Sequence, residues 1–209
     1  MKNYLLATAA TICLSACAGT KVTNTVIASG GISPKAIYIR TFNVADGAFR
    51  GSHGGSGAKA IRQSQAPVLF ARVLKEELEK VAPAVVIADD EVGEVGWEVS
   101  GDIEVVDAGC PPARLLAGGL GLGRSGILLH VRVTEIGSKA HHDEKGGDGP
   151  VIYEFDVAGG SRLMGATGSI HSAGYGSAVS FDMRNAAEKI REMLEVDAQR
   201  LGVRDSSRQ

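Results

Sequence analysis

The segment Trp97-Glu-Val-Ser-Gly-Asp-Ile-Glu-Val105 alternates between apolar and polar side chains more regularly than the rest of this chain. A period of two residues places successive side chains on opposite faces of a β-sheet, so the segment predicts a strand. The side chains expected in the core are Trp97, Val99, Ile103 and Val105. The side chains expected in water are Glu98, Ser100, Asp102 and Glu104. Burial of one face only is typical of antiparallel sheets.

Four further segments have the composition of strands. Residues 127–136 and 151–157 repeat the alternation. Residues 36–44 and 85–87 are short apolar-rich runs, the first of which lies between a proline and an Asp-Gly pair, as is common for strands. The positions expected to face the core in the two alternating segments are Ile127, Leu129, Val131, Val133, Val151, Tyr153, Phe155 and Val157.

Two segments instead have the spacing of helices, with apolar residues three or four positions apart. The first covers residues 65–81, and Pro67 suits its first turn because no backbone donor is needed there. The second covers residues 181–201, where Ser180 or Asp182 is expected to cap the start. The apolar positions of the two stripes are Phe70, Val73, Leu74, Leu78, Val81, Met183, Ala187, Ile190, Leu194, Ala198 and Leu201.

The order of these elements predicts an α+β fold, with a mostly antiparallel sheet of about five strands and two main helices packed on one face. We expect a single domain over residues 35–203, followed by a polar tail at residues 204–209. The small, glycine-rich segment 161–175 leaves one more strand open, near residues 163–170. No internal repeat or second domain is indicated.

The first residues have the features of a secretory leader. Lys2 precedes a mostly apolar run, residues 4–14, and the run ends in Leu14-Ser15-Ala16-Cys17. A transmembrane helix needs about 20 apolar residues, and this run is shorter. Small residues before a cleavage point fit the signal peptidase pocket, and the motif resembles the lipobox of bacterial lipoproteins. We therefore expect a signal peptide at residues 1–16 and a lipidated tether at residues 17–34.

The lipobox resemblance implies a diacylglyceryl group on the Cys17 sulfur and a further acyl chain, such as palmitate, on its amine. Two or more chains hold a protein stably to a bilayer, whereas one does not. In lipoprotein sorting an aspartate after the cysteine favours the inner membrane, and here Ala18 takes that place. The resemblance thus implies a periplasm-facing protein of the outer membrane.

Composition limits the partners this protein could have. The chain has 209 residues and a formal net charge of −2, so it lacks the basic excess that binds nucleic acid or anionic lipid headgroups. Once Cys13 leaves with the leader and Cys17 is lipidated, Cys110 has no partner within the chain. We expect Cys110 to be a buried small residue, with an intermolecular disulfide or a reactive thiol as the alternative.

The stretch from Gly101 to Val133 resembles the bacterial lipoprotein family of domain of unknown function 4410 (DUF4410). That family pattern has a strand ending in glycine, a turn, an arginine, a glycine-rich run and then a strand with alternating apolar residues. The matching positions, predicted to be structural or partner-binding residues, are Gly101, Gly109, Arg114, Gly118, Gly121, Gly123 and Ser125. Cys110-Pro-Pro-Ala113 departs from the family's usual Asn-Arg-Ala-like segment. The resemblance implies no catalytic residues.

Two motifs of possible chemical interest are better explained structurally. Gly121-Leu-Gly-Arg-Ser-Gly126 has the G-x-G-x-x-G spacing, but a dinucleotide site needs a helix after it and a strand pattern follows instead. His141-His142-Asp143-Glu144 gathers metal-ligand types, yet adjacent histidines point apart and no second cluster has zinc-like spacing. We predict a tight glycine bend or bulge at residues 121–126 and a solvated hairpin tip within the loop 141–150, with no metal and no cofactor.

No catalytic constellation emerges from the remaining residues. No serine lies in a nucleophile elbow, and Asp89-Asp90-Glu91 is typical of an exposed turn. The leading hypothesis is therefore a non-enzymatic envelope lipoprotein that binds a partner protein, through the polar sheet face or by strand addition at an edge. The alternative is a ligand-binding or hydrolytic protein, with its site at the glycine-rich loops 51–57 and 118–126.

Overall fold

The computed structural model describes residues 20–27, 33–50, 56–91, 93–107, 125–137, 149–160 and 175–206. The strands are β1 (Thr20–Ile27), β2 (Ile37–Arg40), β3 (Asn43–Val44), β4 (Phe49–Arg50), β5 (Ala84–Ile87), β6 (Gly96–Asp107), β7 (Gly126–Ile136) and β8 (Val151–Gly160). The helices are α1 (Ser56–Leu78) and α2 (Tyr175–Ser206). Neither helix is long and apolar enough to cross a bilayer in the part of the chain that is described.

All eight strands form one mixed sheet in the order β1-β8-β7-β6-β2-β5, and β3 and β4 continue beside β6 beyond the end of β2. The pairs β1–β8, β8–β7 and β7–β6 are antiparallel, whereas β6–β2 and β2–β5 are parallel. The α+β class is confirmed, but the expected antiparallel sheet of about five strands is wrong. The connection from β2 to β5 passes through α1, and a helical crossover of this kind makes the joined strands parallel.

The core lies between one face of the sheet and the two helices. Helices α1 and α2 contact each other, and both contact sheet strands from the same side. The predicted core positions of β6 to β8 that are buried are Trp97, Val99, Ile103, Ile127, Leu129, Val131, Val133, Tyr153, Phe155 and Val157. The other face of the sheet, called here the open face, carries no helix in the described part of the chain.

A β-bulge in β6 changes which valine reaches the core. Ile103 pairs with Leu129, but the register shifts before Val105, so that Val106 pairs with Ile127. Val106 is therefore buried, and Val105 is only half-buried. The expectation that Val105 faces the core is wrong because a bulge inserts one residue and exchanges the faces beyond it.

The predicted strand at residues 36–44 is interrupted. It forms β2 and β3, and Phe42 between them turns into the core, where its ring meets Phe70 of α1 edge-on at 5.0 Å between centroids. Gly101 of β6 makes this possible. A Cβ on Gly101 would lie 2.0 Å from the His130 carbonyl oxygen and 2.7 Å from the Phe42 ring.

Both helices are longer than predicted. Helix α1 begins at Ser56, so Pro67 lies inside it rather than in its first turn, and residues 56–57 belong to the helix instead of a glycine loop. Helix α2 begins at Tyr175, which leaves Ser180 and Asp182 within the helix instead of at its cap. Its continuation to Ser206 also corrects the polar tail predicted from residue 204.

Strand β1 corrects part of the predicted tether, because eight of its residues form a strand. Residues 20–27, expected to be an unpaired part of the segment 17–34, pair with β8 at the edge of the sheet. Threonine and valine favour strands, and Val22 packs against the core. The folded part of the chain therefore includes Thr20 and does not begin at residue 35.

Candidate functional site

Polar side chains meet on the open face towards the β1 edge of the sheet, where β7, β8 and β1 are neighbours. His130 lies opposite Asp156, and Arg132 lies opposite Glu154. Since Leu129, Val131 and Val133 point into the core, strand alternation turns the side chains of His130 and Arg132 outward. We call the set His130, Arg132, Glu154, Asp156 and Asn24 the His130 network.

Both ring nitrogens of His130 are engaged by carboxylates. Its Nδ1 lies 2.8 Å from Asp156 Oδ1, and its Nε2 lies 3.0 Å from Glu154 Oε1. Two carboxylate acceptors require two donors, and the imidazole ring provides two only when it is protonated. The hydrogen bond to Asp156 is the main reason that the pKa of His130 is raised above 6.5, while partial burial acts in the opposite direction.

The two carboxylates have further partners on neighbouring strands. Asn24 Nδ2 donates to Asp156 Oδ2 over 2.6 Å, and Arg132 Nη2 donates to Glu154 Oε1 over 3.4 Å. The hydrogen bond from His130 is the largest cause of a lowered pKa at Asp156, and the bond from Arg132 is the largest at Glu154. The network thus joins β7 to β8 through charges of alternating sign. It joins β8 to β1 through the neutral amide of Asn24.

This arrangement suits the binding or fixing of charge better than proton transfer. A general base needs a free lone pair, and the imidazolium of His130 has none while both its nitrogens donate. No group of three His, Cys, Asp or Glu residues is placed to hold a metal ion among the described residues.

A second polar cluster lies on the same face, where β2 meets β6. Arg40 Nε donates to Glu98 Oε1 over 2.8 Å, and Arg40 Nη2 donates to Glu98 Oε2 over 3.0 Å. The guanidinium also donates to the carbonyl oxygens of Ala88, Asp89 and Glu91 at 2.8–3.0 Å. We call this set the Arg40 cluster, and it fixes the turn after β5 to the centre of the sheet.

Two expectations about acidic residues have different outcomes. Glu98 is buried rather than wet, because Arg40 covers it. The run Asp89-Asp90-Glu91 is an exposed turn, as predicted, and Glu91 Oε2 accepts a hydrogen bond from the Ala88 amide over 3.0 Å.

The structure describes two of the predicted site residues. Gly101 lies in β6 beneath Phe42, so its geometry points to packing, and Ser125 is buried directly before β7. Those outside the described residues are Cys17, Gly109, Arg114, Gly118, Gly121 and Gly123. Cys110, the cluster 141–144, the possible strand 163–170 and most of both glycine-rich loops also lie outside them, so the predictions made there stand untested.

Sequence reasoning missed the His130 network as a site. The alternation of β7 and β8 does place His130, Glu154 and Asp156 on the polar face. What it does not give is the register that brings these three side chains together, because strand register depends on the connecting loops and the packed partner.

The two edges of the sheet differ in their protection against pairing. Strand β1 carries Lys21 and a register shift at Asn24, whose φ is +52°, and charges and bulges are common protections of an edge. Strand β5, Ala-Val-Val-Ile, has neither charge nor proline. Its Val85 and Val86 are 49% and 38% exposed.

Comparison with known proteins gives only distant similarities. No family model matches this chain, and no curated protein matches its sequence. PelC from Paraburkholderia phytofirmans, a dodecamer, is 7% identical with a TM-score of 0.44, over 82% of this chain and 97% of its own. A Xanthomonas campestris protein of the DUF330 family is 14% identical with a TM-score of 0.42, over 87% and 95%. A candidate lipoprotein from Caulobacter crescentus is 15% identical with a TM-score of 0.32, over 79% and 91%.

These similarities carry no inference about what this chain does, since both the identities and the TM-scores are low. The resemblance to DUF4410, which rests on the residues from Gly101 to Val133, therefore stays a prediction.

Proposed function

We propose that this protein is a lipid-anchored, non-enzymatic interaction module of the bacterial cell envelope, held by Cys17 to the periplasmic side of the outer membrane. It binds a partner protein by strand addition at β5. The observation that carries this proposal is the outer edge of β5, a strand of four apolar residues that pairs with no further strand among the described residues.

Strand addition requires free backbone donors and acceptors on an accessible edge. Strand β5 pairs with β2 on its inner side, where the Pro83 carbonyl oxygen accepts a hydrogen bond from the Ile37 amide. Because backbone groups alternate in direction along a strand, those of Ala84 and Val86 point to the outer side. The half-exposed valine side chains add apolar area that a partner strand would cover. The opposite edge, at β1, is less suited to this role because of Lys21 and the bulge at Asn24.

Two features of the sequence support the location. Leu14-Ser-Ala-Cys17 has the pattern of a lipoprotein cleavage and acylation motif, and the region from Gly101 to Val133 resembles the DUF4410 lipoproteins. The His130 network supports the non-enzymatic part, because a histidine whose two nitrogens donate to carboxylates is poorly placed to accept a proton.

The anchor is tested by mass spectrometry of the native product. We expect loss of residues 1–16 and the added mass of acyl chains at Cys17, with the protein in the membrane fraction. Cys17→Ser should remove the acyl mass and the membrane retention. The matched control is Cys13→Ser, which changes a cysteine inside the leader and should leave both intact. An unmodified Cys17 would contradict the proposal.

The docking edge is tested with a photoreactive amino acid placed at Val85 in the native bacterium. We expect one discrete cross-linked adduct of constant mass. Val196, an exposed valine on α2, is the matched control, and a photoreactive group there should not give that adduct. Equal adducts from the two positions, or none from Val85, would count against strand addition at β5.

A further inference from the structure

We propose that one end of the sheet is held against the bilayer, so that the strands stand away from the membrane and the protein has a fixed orientation. This end, called here the anchor end, is where Thr20, Asp107, Gly126 and Gly160 lie. The inference rests on the proposed lipidation of Cys17, and it adds a second interaction surface, with the lipid surface as its partner.

Strand register defines the anchor end. Thr20 lies opposite Gly159, Gly126 lies opposite Gly160, and Asp107 lies opposite Gly126. The first residue of β1, the last of β6, the first of β7 and the last of β8 are therefore side by side. Any restraint on Thr20 acts on this whole end of the sheet.

The chain between the anchor and the sheet is very short. Only Ala18 and Gly19 separate Cys17 from the first residue of β1. Three extended residues span at most about 10 Å. A tether reaching to residue 34 would span about 60 Å, enough for the domain to turn freely above the membrane.

Strand β1 is tied to the rest of the molecule, so the restraint cannot be relieved by a loose terminus. It pairs with β8 from Thr20 to Ile27. Val22 packs against the core, and Asn24 donates to Asp156 in β8. Releasing β1 would break these contacts together.

The opposite end of the sheet must then project from the membrane. Strand β7 has eleven residues, which extend over about 35 Å at the rise of an antiparallel strand. Ile136 pairs with Gly96 at the far end, and β5 is aligned through β2 with the first residues of β6. The orientation therefore keeps the free edge of β5 away from the lipid.

Two exposed lysines provide matched probes of the orientation. Lys21 lies at the anchor end, opposite Ala158, and Lys35 lies just before β2 at the far end. A fluorescent donor is attached to Lys21→Cys or Lys35→Cys in the full-length lipidated chain, with Cys110→Ser in both. The proteins are inserted into preformed vesicles of phosphatidylethanolamine and phosphatidylglycerol that contain a headgroup-labelled acceptor lipid.

We expect energy transfer from position 21 to exceed that from position 35 by about twofold or more, because the two positions differ by about 30 Å along the strands. A control chain carries a flexible Gly-Ser linker, as long as segment 18–34, between Gly19 and Thr20. The linker should remove the difference while keeping the protein on the vesicles.

The outcomes separate this inference from the proposed anchor. Equal energy transfer from the two positions in vesicle-bound protein would overturn the orientation and leave the anchor intact. The same conclusion would follow if energy transfer from position 21 still exceeded that from position 35 in the chain with the linker. Failure of the acylated product to bind vesicles, or absence of acylation, would overturn the anchor and the orientation with it.

Discussion

The Arg40 cluster and the His130 network occupy the same face of the same sheet, yet they differ in their contact with water. In the Arg40 cluster the side chains of Arg40 and Glu98 are 21% and 7% exposed. In the His130 network the side chains of His130, Asp156 and Glu154 are 28%, 20% and 31% exposed. Arg40 also binds three backbone carbonyls, whereas the His130 network contains only side chains in the contacts described above.

This difference indicates which cluster the fold depends on. A charge that loses its partner in a buried setting is left without solvation, and such a loss costs much more than loss of a pair near water. The Arg40 cluster is therefore a structural link between β2, β6 and the turn after β5. The His130 network is a milder link between β7, β8 and β1, and we expect its contribution to depend on pH because folding shifts the pKa values of His130, Glu154 and Asp156.

The largest effect is expected for Arg40→Met, which keeps the volume of the side chain but removes its charge. Glu98 is then buried without its partner, and the free energy of unfolding should fall by about 3–5 kcal/mol. Urea unfolding of the chain from residue 17 onward, with Cys17→Ser, measures the loss. The control is Arg132→Met at a 43% exposed side chain, where we expect about 1 kcal/mol or less. Similar losses in the two variants would refute the distinction between the clusters.

A smaller, pH-dependent effect is expected for His130→Gln, which removes the positive charge of the network. Near pH 6 the variant should unfold about 1 kcal/mol more easily than the parent chain, a modest figure because water screens this site. The measurement is the difference in unfolding free energy between the two chains, followed from pH 3 to pH 9.

The sign of the pH dependence follows from the two directions of pKa shift. Since folding raises the pKa of His130, its contribution is complete below 6.5 and is lost as the pH rises through the folded pKa. Since folding lowers the pKa values of Glu154 and Asp156, their contribution is complete above 4.5 and is lost as the pH falls through their folded pKa values. The difference between the chains should therefore be greatest between pH 4.5 and 6.5. If the difference in unfolding free energy did not change with pH, folding would not shift the pKa values of the network.

The smallest effect is expected on the surface of α1. Lys75 and Glu79 form an exposed ion pair one helical turn apart, and such pairs contribute about 0.3–0.5 kcal/mol. Lys75→Ala should change the unfolding free energy by no more than this, and the small change should disappear in high salt. A loss comparable to that of Arg40→Met would mean that exposure does not decide the contribution of a charge pair in this protein.

Sequence periodicity predicted the elements that bury one face regularly. Strands β6, β7 and β8 and the main part of both helices have a strong apolar pattern, and most of their core residues were predicted correctly. The exceptions in the strands are Val105 and Val151, which are only half-buried and lie next to register shifts. Strand β1 was missed because most of its side chains are polar and the one that packs against the core is Val22. Glu104 and Val105, at the bulge after Ile103, gave no sign in the sequence that the faces exchange there.

The candidate site shows the same limit more sharply. Glu98 and Asp102 occupy equivalent places in the alternation of β6, and what buries one of them is Arg40 from a distant part of the sequence. Likewise, the pairing of His130 with Asp156 depends on the register between β7 and β8. The sequence that connects these two strands has no apolar periodicity from which the register could be predicted. Local periodicity assigns a face to a residue, whereas its partners come from the topology.

The pairing of β1 with β8 also has a consequence for the order of assembly. Asn24 and Asp156 are 132 residues apart in the chain, and contacts so distant form late because closing the intervening loop costs entropy. During synthesis the amino-terminal strand emerges first, yet its partner strand β8 is made only later. Strand β1 is then the last to join the described sheet, and until it does, the edge of β8 is open to pairing with another chain.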